Sequence, residues 1–181
     1  MRYNVAQLLM GPTGAQRVYD LEAEIGDLDP EIEPLRPLSG TVTLMRTTQG
    51  ILVTGTLRTT LVAQCRRCLE LCNTEIEITL EEEFYPAVPF AEASLDEMPE
   101  ENWDEALQID EHHILDLHEV IRQDLLLAIP MQTLCKPDCA GLCPRCGGNR
   151  NLGECTCDDE DIDPRWAALQ ALIETNSERE E

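Results

Sequence analysis

Nine cysteines carry the concentrated chemistry of this 181-residue chain, and six of them fall in 23 residues, CKPDCAGLCPRCGGNRNLGECTC, from Cys135 to Cys157. The others are Cys65 and Cys68 in CRRCL, and Cys72 just beyond. Thiols so spaced can bridge as disulfides, exchange as a redox pair or bind a metal. The odd count, behind an N-terminal stretch with no long apolar run and no small-residue cleavage site, argues against a disulfide framework. A redox CxxC needs a helix after it, yet Cys143-Pro-Arg-Cys146 runs into Gly147-Gly148-Asn149, a poor helix start. Glycine at that point lets the chain turn so that backbone amides aim at thiolate sulfur. That is a zinc knuckle, and CRRCL repeats its spacing.

Zinc suits four thiolates in a tetrahedron, with Zn–S of about 2.3 Å. The cysteines make four pairs: Cys65 with Cys68, Cys135 with Cys139, Cys143 with Cys146, and Cys155 with Cys157. Four pairs fit two four-cysteine sites and leave Cys72 spare; one zinc ion is expected, with a second as the alternative. The preferred partition keeps Cys143, Cys146, Cys155 and Cys157 together because they are local. Cys65 and Cys68 then meet Cys135 and Cys139, stapling a sheet to the C-terminal segment. The rival is a ribbon in which Cys65 and Cys68 face Cys143 and Cys146. His112, His113 and His118 lie far from the cysteines in sequence and are not expected to be ligands. All-thiolate closure predicts a structural metal with no open position for catalysis.

The elements that must hold these residues read as mostly strand. NVAQLL at 4–9 and QRVYDLEAEI at 16–25 alternate around a GPTG turn and predict paired strands. TVTLMRT at 41–47 and ILVTGTLRTTLVAQC at 51–65 predict a hairpin. Thr74–Tyr85 alternates Ile76, Ile78 and Leu80 with acids, a half-buried strand with an acidic outer face. Asp116 is expected to cap a helix over 117–128, with Glu119 completing a box-like pair and Val120, Ile121, Leu125 and Leu127 facing the sheet. The acidic stretch from Pro86 to about Glu105, holding Trp103, predicts a loop. Asp163 and Pro164 predict the start of a C-terminal helix with Trp166, Leu169 and Ile173 on one stripe.

The expected fold is α+β: an antiparallel β meander or half-barrel with one or two packed helices and a C-terminal cysteine-rich zinc-binding module. By residue, 1–130 is the β-rich core domain, 131–175 the zinc module with its helix, and 176–181 a disordered tail. Apolar residues make up 43% of the chain but aromatics only 4%, so aliphatic side chains must fill the core. No apolar run is long enough to span a bilayer, and a cytoplasmic location is expected.

The formal charge is −23, from 36 acids against 12 Arg and one Lys. Between Cys68 and Ile121 there are 17 acids and no Lys or Arg. Such a chain repels nucleic acid at long range and attracts basic proteins. Arg66, Arg67, Lys136, Arg145 and Arg150, in contrast, all lie in or beside cysteine motifs and are candidates for RNA or particle contact. There is neither a Gly-rich phosphate loop nor a nucleophile–base constellation, and no catalytic residue is expected. The enzymatic alternative is a thiol redox protein using Cys143 and Cys146.

Taken in order, NVAQLL, CRRCLE, ILDLHEVIRQDLLLAIPMQTLC, CAGLCPRCGGNRNLGECTC and DPRWAALQAL resemble the YceD-like proteins along nearly the whole chain. The matching positions are Cys65, Cys68, Cys139, Cys143, Cys146, Cys155 and Cys157, with Asn151 in the loop. The resemblance implies a role in accumulation of large-subunit (23S) ribosomal RNA. It therefore points to a non-enzymatic ribosome-biogenesis factor acting through an acidic protein-binding surface. The partner would be a basic ribosomal protein or a large-subunit precursor, with no membrane and no small-molecule substrate. Direct ribosomal RNA binding through the arginines beside the knuckles is the alternative.

Overall fold

A computed structural model of the chain describes residues 1–87, 105–153 and 155–157. The expected C-terminal helix, Trp103 and the 176–181 tail lie outside the described residues. Contacts divide the chain into two compact units, Met1–Arg66 with Glu70–Pro137, and Arg67–Leu69 with the chain from Asp138 onward.

The first unit is built on β-strands whose alternation sets one apolar and one polar face. In chain order it contains β1 (Arg2–Asn4), α1 (Ala6–Leu9), β2 (Gln16–Ala23), β3 (Leu38–Arg46), β4 (Ile51–Gln64) and β5 (Leu71–Pro86). After a 3-10 turn at Glu105–Leu107 come β6 (Gln108–Ile109), β7 (Ile114–Asp116) and α2 (His118–Ala128). Strands β2 to β5 form an antiparallel meander, β6 adds to β5 in parallel, and β1 pairs antiparallel with β7 in a separate small sheet. The architecture is thus mixed α+β with few helices among the described residues.

The long β4–β5 pairing runs from Ile51↔Phe84 to Gln64↔Leu71. Its period of two sends Val53, Leu57, Leu61, Ile76, Ile78 and Leu80 into the core, while Thr54, Thr56, Arg58, Glu75, Glu77 and Glu81 take the other side. Gly40 and Gly55 fall on the inward parity where β3 and β4 come closest. A Cβ on Gly40 would stand 2.2 Å from the Thr56 carbonyl oxygen and one on Gly55 2.5 Å from that of Thr41. Only glycine fits there. Leu8 and Leu9 of α1 and Val120, Ile121 and Leu125 of α2 join the same buried cluster, which is aliphatic apart from Phe84. Arg46 is buried among carbonyls: Nε donates to Leu9 O at 3.2 Å, and Nη1 to Gly50 O at 3.1 Å and to Thr47 O. It ties α1 to the β3–β4 turn, and burial lowers its pKa.

Three local expectations are corrected. Residues 6–9 are helical and not part of a strand paired with β2, because Val5, Leu8 and Leu9 are the buried positions and stand at helical spacing. Leu127 is 83% exposed. At 100° per residue it sits roughly 200° around the helix from Leu125, off the packed stripe. The helix bounds put Leu117 at the cap position without a side-chain bond of its own, but Asp116 does cap the helix start, accepting from His118 N at 3.0 Å as well as from Arg2 Nε at 2.7 Å. The box-like pair is the expectation that fails. Glu119 turns forward to Arg122, whose Nη1 also reaches Asp29.

Candidate metal centres

The nine cysteines form no disulfide. Eight gather as two groups, Cys65, Cys68, Cys135 and Cys139 in one, Cys143, Cys146, Cys155 and Cys157 in the other, with sulfurs of each group within 4.8 Å of one another. This is the local partition and not the knuckle-to-knuckle ribbon. Four sulfurs bound at about 2.3 Å to one tetrahedral ion stand about 3.8 Å apart. Each group is therefore contracted enough to close on a single ion. Among the described residues no histidine or carboxylate joins either group. The donor set is soft, and four thiolates would suit a structural zinc. Cys72 lies in β5 opposite Ala63 and belongs to neither group.

The second group lies entirely in the cysteine unit, and its geometry follows from the turn at Cys143–Gly147. Gly147 adopts φ +74°, its N–H donates to Cys143 O at 2.9 Å, and Cys143 N donates to Gly148 O at 2.9 Å. The amides of Cys146 and Arg145 thereby aim at the Cys143 sulfur. With the Cys155 thiol, they bring the Cys143 pKa down to about 6. Cys157 goes the other way, pushed up to about 12 by sharing hydrogen bonds with Cys146 and Cys155. The Cys157 amide favours the Cys155 thiolate, yet its hydrogen bond with Cys143 and burial win and raise the pKa of Cys155. Cys143 ionises readily while Cys155 and Cys157 resist, and a dication among them would favour their ionising together.

The CRRCL turn repeats the knuckle without a glycine. Leu69, at the position matching Gly147, takes φ +61°, and Cys65 N donates to Glu70 O at 2.8 Å. Within the cysteine unit Arg67 does structural work on both its groups. Its carbonyl accepts from Leu142 N at 3.0 Å and its Nη1 donates to Cys139 O at 3.0 Å. Gly141, at φ +73°, would bring a Cβ to a tight 3.0 Å from that carbonyl in a backbone conformation that side chains disfavour. Of the other cationic candidates, Arg66, Lys136 and Arg145 are exposed and Arg150 is half-buried. Sequence reasoning named Asn151 but missed Asn149, whose Oδ1 accepts from Asn151 N at 3.0 Å. An Asn directly after the Gly147-Gly148 pair was the signal available.

A profile of the YceD family, described as "Large ribosomal RNA subunit accumulation protein YceD", matches residues 53–173, a span that includes every cysteine. The chain belongs to the YceD family. It is similar to an uncharacterised protein of Mycobacterium tuberculosis, 36% identical over 138 residues, covering 72% of this chain and 59% of that protein. It is also similar to a Zea mays protein named "Large ribosomal RNA subunit accumulation protein YCED homolog 1, chloroplastic", 27% identical over 176 residues, 85% of this chain and 60% of the maize one. The namesake from Arabidopsis thaliana is 25% identical over 163 residues, 80% and 51% of the two chains. This YceD chain thus spans about six-tenths of the length of the first curated relatives it matches. No solved structure matches it. No helix among its described residues is long and apolar enough to cross a membrane.

Proposed function

We propose that this YceD-family chain is a non-enzymatic ribosome-biogenesis factor that supports accumulation of large-subunit (23S) ribosomal RNA in the cytoplasm. In this reading it holds a basic ribosomal protein, or a large-subunit precursor, through an acidic surface on a zinc-stabilised fold. The two-part organisation, with 1–130 as the β-rich domain and 131–175 as the zinc module, belongs to the same proposal. So does zinc as the metal of Cys65, Cys68, Cys135 and Cys139, and of Cys143, Cys146, Cys155 and Cys157.

The observation that carries the process is the family match over residues 53–173. The observation that favours protein over RNA is the outer face of β5. Register and alternation put exposed Glu75, Glu77 and Glu81 on one face there, with Glu83 beside them and Arg58 paired with Glu77. A row of carboxylates over threonines suits Lys- and Arg-rich chains and repels phosphate. Direct ribosomal RNA contact through Arg66, Arg67, Lys136, Arg145 and Arg150 is the second reading, favoured by the exposure of Arg66, Lys136 and Arg145.

In cells lacking the protein, mature 23S RNA should fall relative to 16S and return with the wild-type gene. Glu75→Lys with Glu77→Lys and Glu81→Lys should fail to restore it, while Arg145→Glu with Arg150→Glu should succeed. The opposite pattern, with RNA crosslinks lost only in the arginine variant, would establish the second reading. Binding to a basic large-subunit protein should weaken as ionic strength rises past about 0.15 M, where screening reaches about 8 Å.

A further inference from the structure

We propose that Asn151 couples the two thiolate groups, so that closing the Cys143 group on its ion sets a hydrogen-bond donor against Cys139 of the other. Asn151 lies in the loop between Cys146 and Cys155, both ends of which are tied down when that group holds a metal. Its side chain is engaged with the other group's segment. Nδ2 donates to Cys139 Sγ at 3.3 Å, and Oδ1 accepts from Ala140 N at 2.9 Å.

The loop is shaped to hold that pose. Asn149 is buried, and its Oδ1 accepts from both Asn151 N and Asn151 Nδ2 at 3.0 Å. Leu142 and Asn149 form a β-bridge, Arg150 N donates to Gly141 O at 3.0 Å, and Gly153 at φ +71° ends the 3-10 turn Arg150–Leu152. Segments 139–142 and 149–151 are therefore knit by backbone as well as side-chain bonds. An N–H donated to a ligating thiolate fixes the sulfur's direction and spreads its charge, and losing such an outer-shell partner typically costs about 10–100-fold in metal affinity. Freeing the loop at Cys146 releases the same donor. Coupling of this kind is reciprocal, each ion favouring the other.

The inference rests on both groups being metal sites and is independent of the ribosomal role. Its test is a Co2+ titration of the reduced full chain, read by thiolate-to-cobalt charge-transfer and ligand-field bands. The wild-type, Cys146→Ser, Asn151→Ala and doubly substituted proteins are compared. In Cys146→Ser only the Cys65, Cys68, Cys135 and Cys139 group can give the four-thiolate spectrum. Each single variant should weaken that group by about 10–100-fold relative to wild type, and the double variant should be no weaker than Cys146→Ser alone. Unchanged affinity in either single variant, or losses that multiply in the double, would overturn the coupling. Amide exchange of β3 to β5 in the same samples separates an affinity loss from global unfolding. A wild-type chain that binds no cobalt would overturn the metal reading itself, a different failure from two ions bound independently.

Discussion

The largest fully buried side chains, Phe84, Leu57, Leu80, Ile121 and their neighbours, all lie in the sheet unit, whereas the buried described residues of the cysteine unit are Cys68, Cys139, Gly141, Cys143 and Asn149. Each fully buried Leu or Ile contributes roughly 1.5–3 kcal/mol from leaving water, and the sheet unit has many. The cysteine unit has none among its described residues. What it buries is sulfur, a bare glycine and an amide, none of which takes the apolar area of a Leu or Ile out of water. Exclusion of water accounts for the folding of one unit, whereas the described part of the other has the donors that coordination would need.

The harshest trial of that contrast is metal removal. A chelator with reductant should leave amides in 138–153 exchanging as in an unstructured chain while β3, β4 and β5 keep their protection. A structural four-thiolate zinc supplies about 10–16 kcal/mol of apparent folding free energy. Hydrogen exchange followed by mass spectrometry reads both units at once, and equal loss in the strands would refute the contrast. The complementary trial is Leu57→Ala. It should cost about 2–5 kcal/mol in urea unfolding and leave the metal bound per chain unchanged.

How far the sequence disclosed this division depends on the kind of signal. Strand alternation in β3, β4 and β5 was legible because each strand has one wet and one dry face, and the period of two leaves no other reading. The cysteine groups were legible because ligand pairs two to four residues apart can share an edge of one tetrahedron. Residues 4–9 were misread since so short a run contains both periods, and burial of Val5, Leu8 and Leu9 decides between them only in the fold. The β1–β7 pairing, Tyr3 opposite Leu115, joins residues too far apart for any local pattern to announce. Arg67 was legible only as a charge, and that its carbonyl and guanidinium bond to Leu142 N and Cys139 O is visible only in the fold.

Smaller effects sharpen the comparison inside the knuckles. Gly147→Ala places a Cβ at φ +74° and should cost about 1 kcal/mol. Leu69→Gly relieves the same conformation at φ +61° and should gain about 0.5 kcal/mol, the relief being partly offset by the freer unfolded chain. Zinc competition against a chromophoric chelator and thermal melts measure both. Smallest is the pH response of α2. Bonds from Arg122 and then Gln123 hold Glu119 down to about 2 against an ordinary 4.5. Its folded pKa is depressed, so its contribution is complete above 4.5 and is lost as pH falls toward 2. Glu119→Gln should therefore narrow its gap to wild type over that window, seen as converging melting temperatures.

The β4–β5 hairpin has a further consequence for how the chain avoids mispairing. Sliding β5 by one residue against β4 would turn Ile76, Ile78, Leu80 and Phe84 out to water and drive Glu75, Glu77 and Glu81 into the oil. Fourteen rungs of similar Thr- and Val-rich backbone offer little else to mark the proper alignment. The bend that joins them is CRRCL, and its Cys65 N–H to Glu70 carbonyl bond sets the first rung. A cysteine pair sits where the ladder begins, so a cation held in that loop would also count the strands into step.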